Sequence, residues 1–260
     1  MRRHVVIAIR GFGMPVVWHQ TTSRILPRVK ALVISHEDDG GPGLVGARLE
    51  ERGVTLDIAQ IARGRNIGPD RLPPLDGYDA VVSLGCTEAV FDRGAVGTWI
   101  DPELDLLRAA HTNSVPVFGI CFGGQALAAA LGALVERAPT PEIGWFELEL
   151  TAVGTAPFAA GPWMVWHLDR FSTPAGATEI ARTSLCTHAF RAGRSIGLQF
   201  HPEVDAASVA RWAEAAGPGY FEAKGFDQGV LLDGIDDKAA VSKRNTEQLV
   251  DWFLDEVAGA

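Results

Sequence analysis

The placing of apolar residues between Val29 and Ile120 constrains this chain more than any other feature. Short apolar runs, "VKALVIS", "VTLDIAQ", "YDAVVSLG" and "VPVFGI", alternate with longer amphipathic stretches. Runs of near-continuous Val, Ile and Leu offer hydrophobic side chains to both faces of a sheet, which suits parallel strands covered by helices on either side. Between them, "GLVGARLEERG" has helical spacing and stops at Gly53. "DPELDLLRAAH" puts Asp101 at an N-cap and Pro102 at the first helical position. Strand, helix, strand, helix predicts an α/β fold around a mostly parallel central sheet.

Beyond Gly144 the pattern changes. "WFELELTAV", "WMVWHL", "SLCTHAF" and "SIGLQF" follow one another with turns between them and few helices, which predicts a more antiparallel region packed on the same sheet. "TEQLVDWFLDEV" closes the chain as an amphipathic helix, with Leu249, Trp252 and Phe253 on one face and Asp251 and Asp255 outward. With 260 residues, 47% of them hydrophobic, the chain suffices for one substantial core or at most two small domains. The expected organisation is a single domain over residues 28–260. Residues 1–27 form an extension ahead of it, read as an extra edge strand.

Several function classes are disfavoured. The formal net charge is −9 and no Lys/Arg cluster occurs, so there is no basic face for nucleic acid. No run approaches the roughly 18 apolar residues of a membrane span. The apolar run after "MRRH" is shorter than the roughly 7–15 residues of a signal-peptide core. Cys86, Cys121 and Cys186 are odd in number and widely spaced, which suggests neither a disulfide framework nor a zinc site and fits a reducing cytoplasm. "GGPGLVG" (Gly40–Gly46) contains G-x-G-x-x-G, but "HEDDG" separates it from its strand and no acidic residue follows at the expected distance. An ordinary strand-to-helix loop is the better reading, and no cofactor is expected. No histidines pair at i,i+4, so no metal is expected. His188, two residues from Cys186, reads as core packing, and His4, His19 and His111 as surface or core residues with nothing around them that asks for chemistry. His36, in "SHEDD" at a strand end, could sit at a pocket mouth.

Cys121 stands apart. In "VFGICFGGQALAAALGA" it lies between a strand and a helix and is flanked by Gly119 and Gly123 as G-x-C-x-G. That is a nucleophile elbow, whose crowded turn demands neighbours without a Cβ. A helix N-terminus aimed at the sulfur favours the thiolate. The bland reading is a buried cysteine ending a strand. "LQFHPEVD" supplies the missing partners: His201 and Glu203, two apart in an extended segment stiffened by Pro202, project to one side. A carboxylate so placed orients an imidazole that can activate a thiol.

With these motifs the sequence resembles the class I, triad-type glutamine amidotransferases, and is most similar to their stand-alone, GMP-synthase-like members. "GICFGGQ" matches the family's elbow and His201–Pro202–Glu203 its H-P-E signature. "EIGW" (Glu142–Trp145), "VWHLD" (Val165–Asp169) and "SLGCTEAVFD" match further segments. The resemblance runs from about Val29 to the C-terminus and implies a flavodoxin-like three-layer fold. It implies Cys121 as nucleophile, His201 as general base and then acid, and Glu203 as its orienter. The N–H groups of Phe122 and Gly85 become the oxyanion hole, Gln125 a substrate contact, and His167 part of a loop lining the glutamine pocket. Leu84 replaces a family glycine, which is tolerable if its side chain points into the core. Cys86 replaces a proline, as a small filler or a second thiol. Gly124 replaces a histidine, and Cys186 reads as core strand.

The implied activity is hydrolysis of the glutamine side-chain amide through a γ-glutamyl thioester, with ammonia passed to a separate ATP-dependent synthetase. A free-standing γ-glutamyl hydrolase or transferase acting on other γ-glutamyl amides is the alternative, and a catalytically idle regulatory homologue a third reading. The protease-type relatives place a histidine directly after the cysteine, where this chain has Phe122.

Overall fold

In the first strand, Ala31 and Val33 turn to one side and Leu32 and Ile34 to the other, and all four are completely buried. A strand with two apolar faces needs a layer on each, and the rest of the chain provides them. The computed structural model describes residues 29–151 and 158–259. The extension expected at residues 1–27 lies outside the described residues, as does the end of the strand expected at "WFELELTAV".

The N-terminal half runs β1 (Lys30–Ser35), α1 (Gly43–Glu51), β2 (Thr55–Gln60), a hairpin of β3 (Ala62–Arg63) and β4 (Asn66–Ile67), β5 (Ala80–Ser83), α2 (Arg93–Val96), α3 (Ile100–Thr112), β6 (Val117–Ile120) and α4 (Phe122–Ala130). Then come β7 (Val135–Phe146), β8 (Glu149–Leu150), β9 (Trp163–Phe171), β10 (Thr178–Arg182), β11 (Thr187–Ala192) and β12 (Ser195–Leu198). Helices α5 (Ala206–Ala215), α6 (Gln228–Leu232) and α7 (Ile235–Trp252) follow.

Among the described residues, eight strands form one sheet in the order β2-β1-β5-β6-β12-β11-β10-β8. The five from β2 to β12 run parallel to one another. β11, β10 and β8 continue the sheet antiparallel. Val45 and Leu49 of α1 and Leu249 and Val250 of α7 pack on the face carrying Ala31 and Val33. Ile100, Leu107 and Ala110 of α3 and Ala126 and Leu127 of α4 pack on the face carrying Leu32 and Ile34. This is the three-layer, flavodoxin-like arrangement implied by the resemblance. Among the described residues no helix is long and apolar enough to cross a membrane.

Three departures from the expected elements shape the layers around the sheet. Helix α3 starts at Ile100 with Trp99 at its N-cap and no side-chain cap, so Asp101 and Pro102 fall inside its first turn. Trp99 and Ile100 are buried, and their packing draws the helix start upstream of the polar signal. Pro102 is tolerated because first-turn N–H groups have no helical partner. Second, β7 and β9 pair as a separate two-stranded ribbon instead of joining the main sheet. The ribbon shares a third apolar cluster, including Ile143, Met164, Val209 and Phe221, with the α5–α6 region. Third, α7 begins far ahead of Thr246. Its early buried positions are Ala239, Ser242 and Asn245, too small or polar to show as an apolar stripe.

Candidate active site

Parallel neighbouring strands end at one edge, so the sheet order decides which residues meet. After β1 the chain places β2 on one side and β5 on the other, and such a switch point opens a crevice at the carboxyl ends of the strands. There β1 delivers His36, β5 delivers Leu84 and Gly85, β6 delivers Cys121, and β12 runs on through Gln199 to His201 and Glu203.

Cys121 is the N-cap residue of α4, with φ 49° and ψ −105°. A side-chain-bearing residue in that region is strained, and the surroundings hold it there. Its N–H donates to the Leu198 carbonyl at 2.8 Å, and its carbonyl accepts from the Gln125 N–H at 2.9 Å. A Cβ at Gly119 would collide with the Gly123 backbone, and one at Gly123 with the Ser83 carbonyl. Both flanking glycines are therefore steric requirements, as the motif predicts. Gly124 is another: a Cβ there would strike the Leu198 carbonyl, which excludes a histidine at this position without moving β12.

His201 and Glu203 meet as expected from their i,i+2 spacing, with Nδ1 to Oε1 at 2.7 Å and both side chains buried. The segment is gripped from three sides. The His201 N–H donates to the Met164 carbonyl at 2.8 Å, Thr246 Oγ1 donates to the Pro202 carbonyl at 2.7 Å, and the Leu44 N–H donates to the Glu203 carbonyl at 2.8 Å. Burial acts most strongly on the imidazole and lowers its pKa. The adjoining charges of Glu203 and Cys121 and their hydrogen bonds outweigh it, so the net shift is well above the usual histidine value. The protonated ring is favoured between two acidic partners. Trp212 of α5 covers it edge-on, ring centroids 5.0 Å apart.

Gly85 stands beside this ring: a Cβ on it would lie 3.4 Å from His201 Cε1. Its N–H donates to no group among the described residues. The Phe122 N–H, at the first position of α4, lies outside the helical bonds. Leu84 points into the core, the condition under which a leucine is tolerated there, and its carbonyl accepts the Gly123 N–H at 3.0 Å, tying the loop to the elbow. The Cys86 thiol is half-buried, donates to Glu37 Oε1 at 3.5 Å, and has its pKa pushed up by burial, which fits a filler better than a second reactive thiol.

Gln125 is buried, and its amide nitrogen serves two acceptors, the Asp169 carbonyl at 3.2 Å and Gln199 Oε1 at 3.3 Å. Gln199 carries no motif of its own in the sequence. It is completely buried and donates to Cys121 Sγ at 3.7 Å, while the thiol itself faces the Trp166 carbonyl at 3.9 Å. The available signal was its position two before His201 on extended backbone, which puts it on the same side. Gly43, inside a glycine-rich loop with the sequence of an ordinary strand-to-helix turn, is a further site residue without a motif. Its φ is +45°, and a Cβ there would overlap the Glu203 carbonyl.

His167 lies in β9, not in a loop, and is buried toward Glu142 instead of lining an open pocket. Burial lowers its pKa, only partly offset by Glu142. Cys186 also differs from expectation: it sits in the bend ahead of β11, half-buried, and donates to Glu142 Oε2 at 3.2 Å. His188 Nε2 donates to the same oxygen at 3.0 Å, and His167 Nε2 stands 3.3 Å from it, off the hydrogen-bond direction. The four ligand atoms lie within 4.8 Å of one another, a donor set that zinc accepts. A metal held through both Nε2 atoms would put protons on both Nδ1 atoms, and neither has an acceptor among the described residues. A hydrogen-bonded network centred on Glu142 fits the geometry better.

The sequence profile of the family described as "Glutamine amidotransferase class-I" matches residues 45–209, more than half of the chain. This chain belongs to the class-I glutamine amidotransferases. A GMP synthase [glutamine-hydrolyzing] of Mycolicibacterium paratuberculosis is 35% identical over 131 residues, covering 48% of this chain but only 23% of the synthase. The glutamine amidotransferase-like protein YfeJ of Salmonella typhimurium is 27% identical over 59% of this chain and 66% of its own length. Among solved structures, a glutamine amidotransferase from Methylobacillus flagellatus aligns with a TM-score of 0.78 at 26% identity, covering 88% of this chain and 95% of that one. Another from Thermotoga maritima gives 0.74 at 28% identity, covering 88% and 99%.

Proposed function

We propose that this amidotransferase hydrolyses the side-chain amide of glutamine with Cys121 as nucleophile. The observation that carries the reading is the convergence of the Cys121 elbow with the His201–Glu203 pair at one sheet edge. The Cys121 thiolate attacks the amide carbon, and the oxyanion forms against the N–H groups of Phe122 and Gly85. Loss of one such donor elsewhere costs roughly 3 kcal/mol of transition-state stabilisation. His201, whose protonated form its neighbours favour, gives its proton to the leaving nitrogen. Ammonia departs, and a γ-glutamyl thioester remains. Neutral His201 then takes a proton from water, which attacks the thioester and releases glutamate. Glu203 holds the ring in the required tautomer throughout.

Gln125 Oε1 is left for the substrate, since the amide nitrogen is already committed. His167 acts through β9, whose Trp166 carbonyl faces the thiol. The ammonia acceptor in this reading is a separate ATP-dependent synthetase, in keeping with the glutamine-hydrolysing GMP synthases among the relatives.

The test is an assay of the isolated protein with ammonia and glutamate both measured. Equimolar release by wild type, and none by Cys121→Ala, is expected. Turnover retained in Cys121→Ala, or release only from larger γ-glutamyl amides, would refute the assignment.

A further inference from the structure

Glu103 occupies the core face of α3 between Ile100 and Leu107, where its carboxyl is completely buried. A buried charge costs stability unless it is paired and hydrogen-bonded, so its partners matter. They are the Ser83 hydroxyl, which donates to Oε1 at 2.8 Å, and His36 Nε2, 2.9 Å from Oε2. His36 is completely buried as well, and its other ring nitrogen, Nδ1, stands 3.3 Å from the Gly85 carbonyl. The same ring packs on Phe122, with centroids 4.9 Å apart, and on Trp99 at 5.4 Å. One imidazole therefore touches both residues whose N–H groups are proposed above as the oxyanion donors.

A glycine peptide needs such anchoring. The Gly85 N–H lies in the Leu84–Gly85 peptide plane, and because Gly85 has no side chain to limit its φ and ψ, that plane turns freely against the next unless both are held. The preceding plane is held by the Leu84 carbonyl on the Gly123 N–H. The following plane is held by the Gly85 carbonyl on His36. Glu37 clamps the far end of the loop, its Oε1 accepting the Thr87 N–H at 2.8 Å and the Thr87 hydroxyl at 2.7 Å.

We propose that His36, itself oriented by Glu103, is a positioning residue that holds the Gly85 and Phe122 donors of the oxyanion hole in register. This rests on the reading of Cys121 as an amidohydrolase nucleophile. An interaction that aims donors at the oxyanion acts on the transition state, so its loss falls on kcat and not on KM.

The test compares His36→Phe, which fills the same space without either hydrogen bond, with His36→Gln, whose amide can donate to Gly85. For His36→Phe, kcat on glutamine falls roughly 100-fold, KM stays within about threefold, and His36→Gln recovers about tenfold. Amide hydrogen exchange supplies a readout independent of turnover. The Thr87 and Gly123 amides lose protection in His36→Phe, while the His201 amide, bonded to Met164, keeps its own. Glu103→Gln, which preserves shape, carries the same expectation at smaller size should the Phe variant fail to fold. Wild-type kcat in His36→Phe, a loss confined to KM, or no rescue by Gln each overturns the proposal. If the wild-type protein releases no glutamate, the proposed function fails instead, and exchange decides here: unchanged protection at Thr87 and Gly123 overturns the positioning role.

Discussion

At Gly43 a single hydrogen atom in place of a methyl group lets helix α1 start against the backbone of Glu203. The Leu44 N–H reaches the Glu203 carbonyl, and the φ of +45° at Gly43 is one that side-chain-bearing residues rarely adopt. Gly43→Ala must push the H-P-E segment away from the elbow. The expected result is a loss of about 1–3 kcal/mol in urea unfolding and a fall in glutaminase kcat of at least about tenfold. Near-normal stability and activity would show that this contact does not set the position of Glu203. The site was legible at this scale wherever a residue carries its own chemistry. Cys121, His201 and Glu203 are named by type and spacing alone. Gly43, Gln199 and Glu103 were not, because what each does depends on an atom brought up from a distant part of the chain.

Between elements, the most distinct tie is the one from α1 to α7. Arg48 takes the Asp251 carboxylate through Nε at 2.9 Å and Nη2 at 2.7 Å, and Arg52 joins both Asp251 and Asp255. These aspartates do face outward, as the helical pattern requires, but toward a neighbouring helix instead of open water. The hydrogen bond from Arg48 is the main influence holding the Asp251 pKa below its usual value. A depressed carboxylate pKa contributes stability above the unfolded-state value of about 3.9 and loses it as pH falls through the folded value. Asp251→Asn is therefore expected to cost about 1 kcal/mol at pH 7, a modest figure because the pairs are partly solvated. Thermal unfolding followed from pH 7 to pH 3 should show the gap between variant and wild type closing only below about pH 4. A gap independent of pH would assign the effect to packing.

For the whole molecule, the sheet is the unit of cooperativity. β10, β11 and β12 continue the sheet that β1, β5 and β6 begin, so the two halves of the sequence share one hydrogen-bonded ladder. We expect residues 28–260 to behave as one domain, with a single urea transition. Tryptophans sit in all three apolar clusters: Trp163 and Trp252 in the first, Trp99 in the second, Trp166 and Trp212 against the third. Fluorescence and far-ultraviolet circular dichroism should therefore give coincident curves. An earlier fluorescence transition would mark the β7–β9 ribbon and its helices as a separate unit.

What the amino-acid sequence determined by itself is local. Apolar runs set the parallel strands, glycine spacing set the elbow, and the i,i+2 step put His201 and Glu203 on one side. These follow from backbone geometry within a few residues. Which strands become neighbours was decided only by the tertiary structure. The order β1-β5-β6-β12 sets His36, Gly85, Cys121 and Gln199 side by side, and it also draws Glu103 into the core. The ribbon of β7 and β9 and the long polar start of α7 belong to the same class. Their stability comes from contacts with remote elements, and such contacts leave no periodic mark on the segment that makes them.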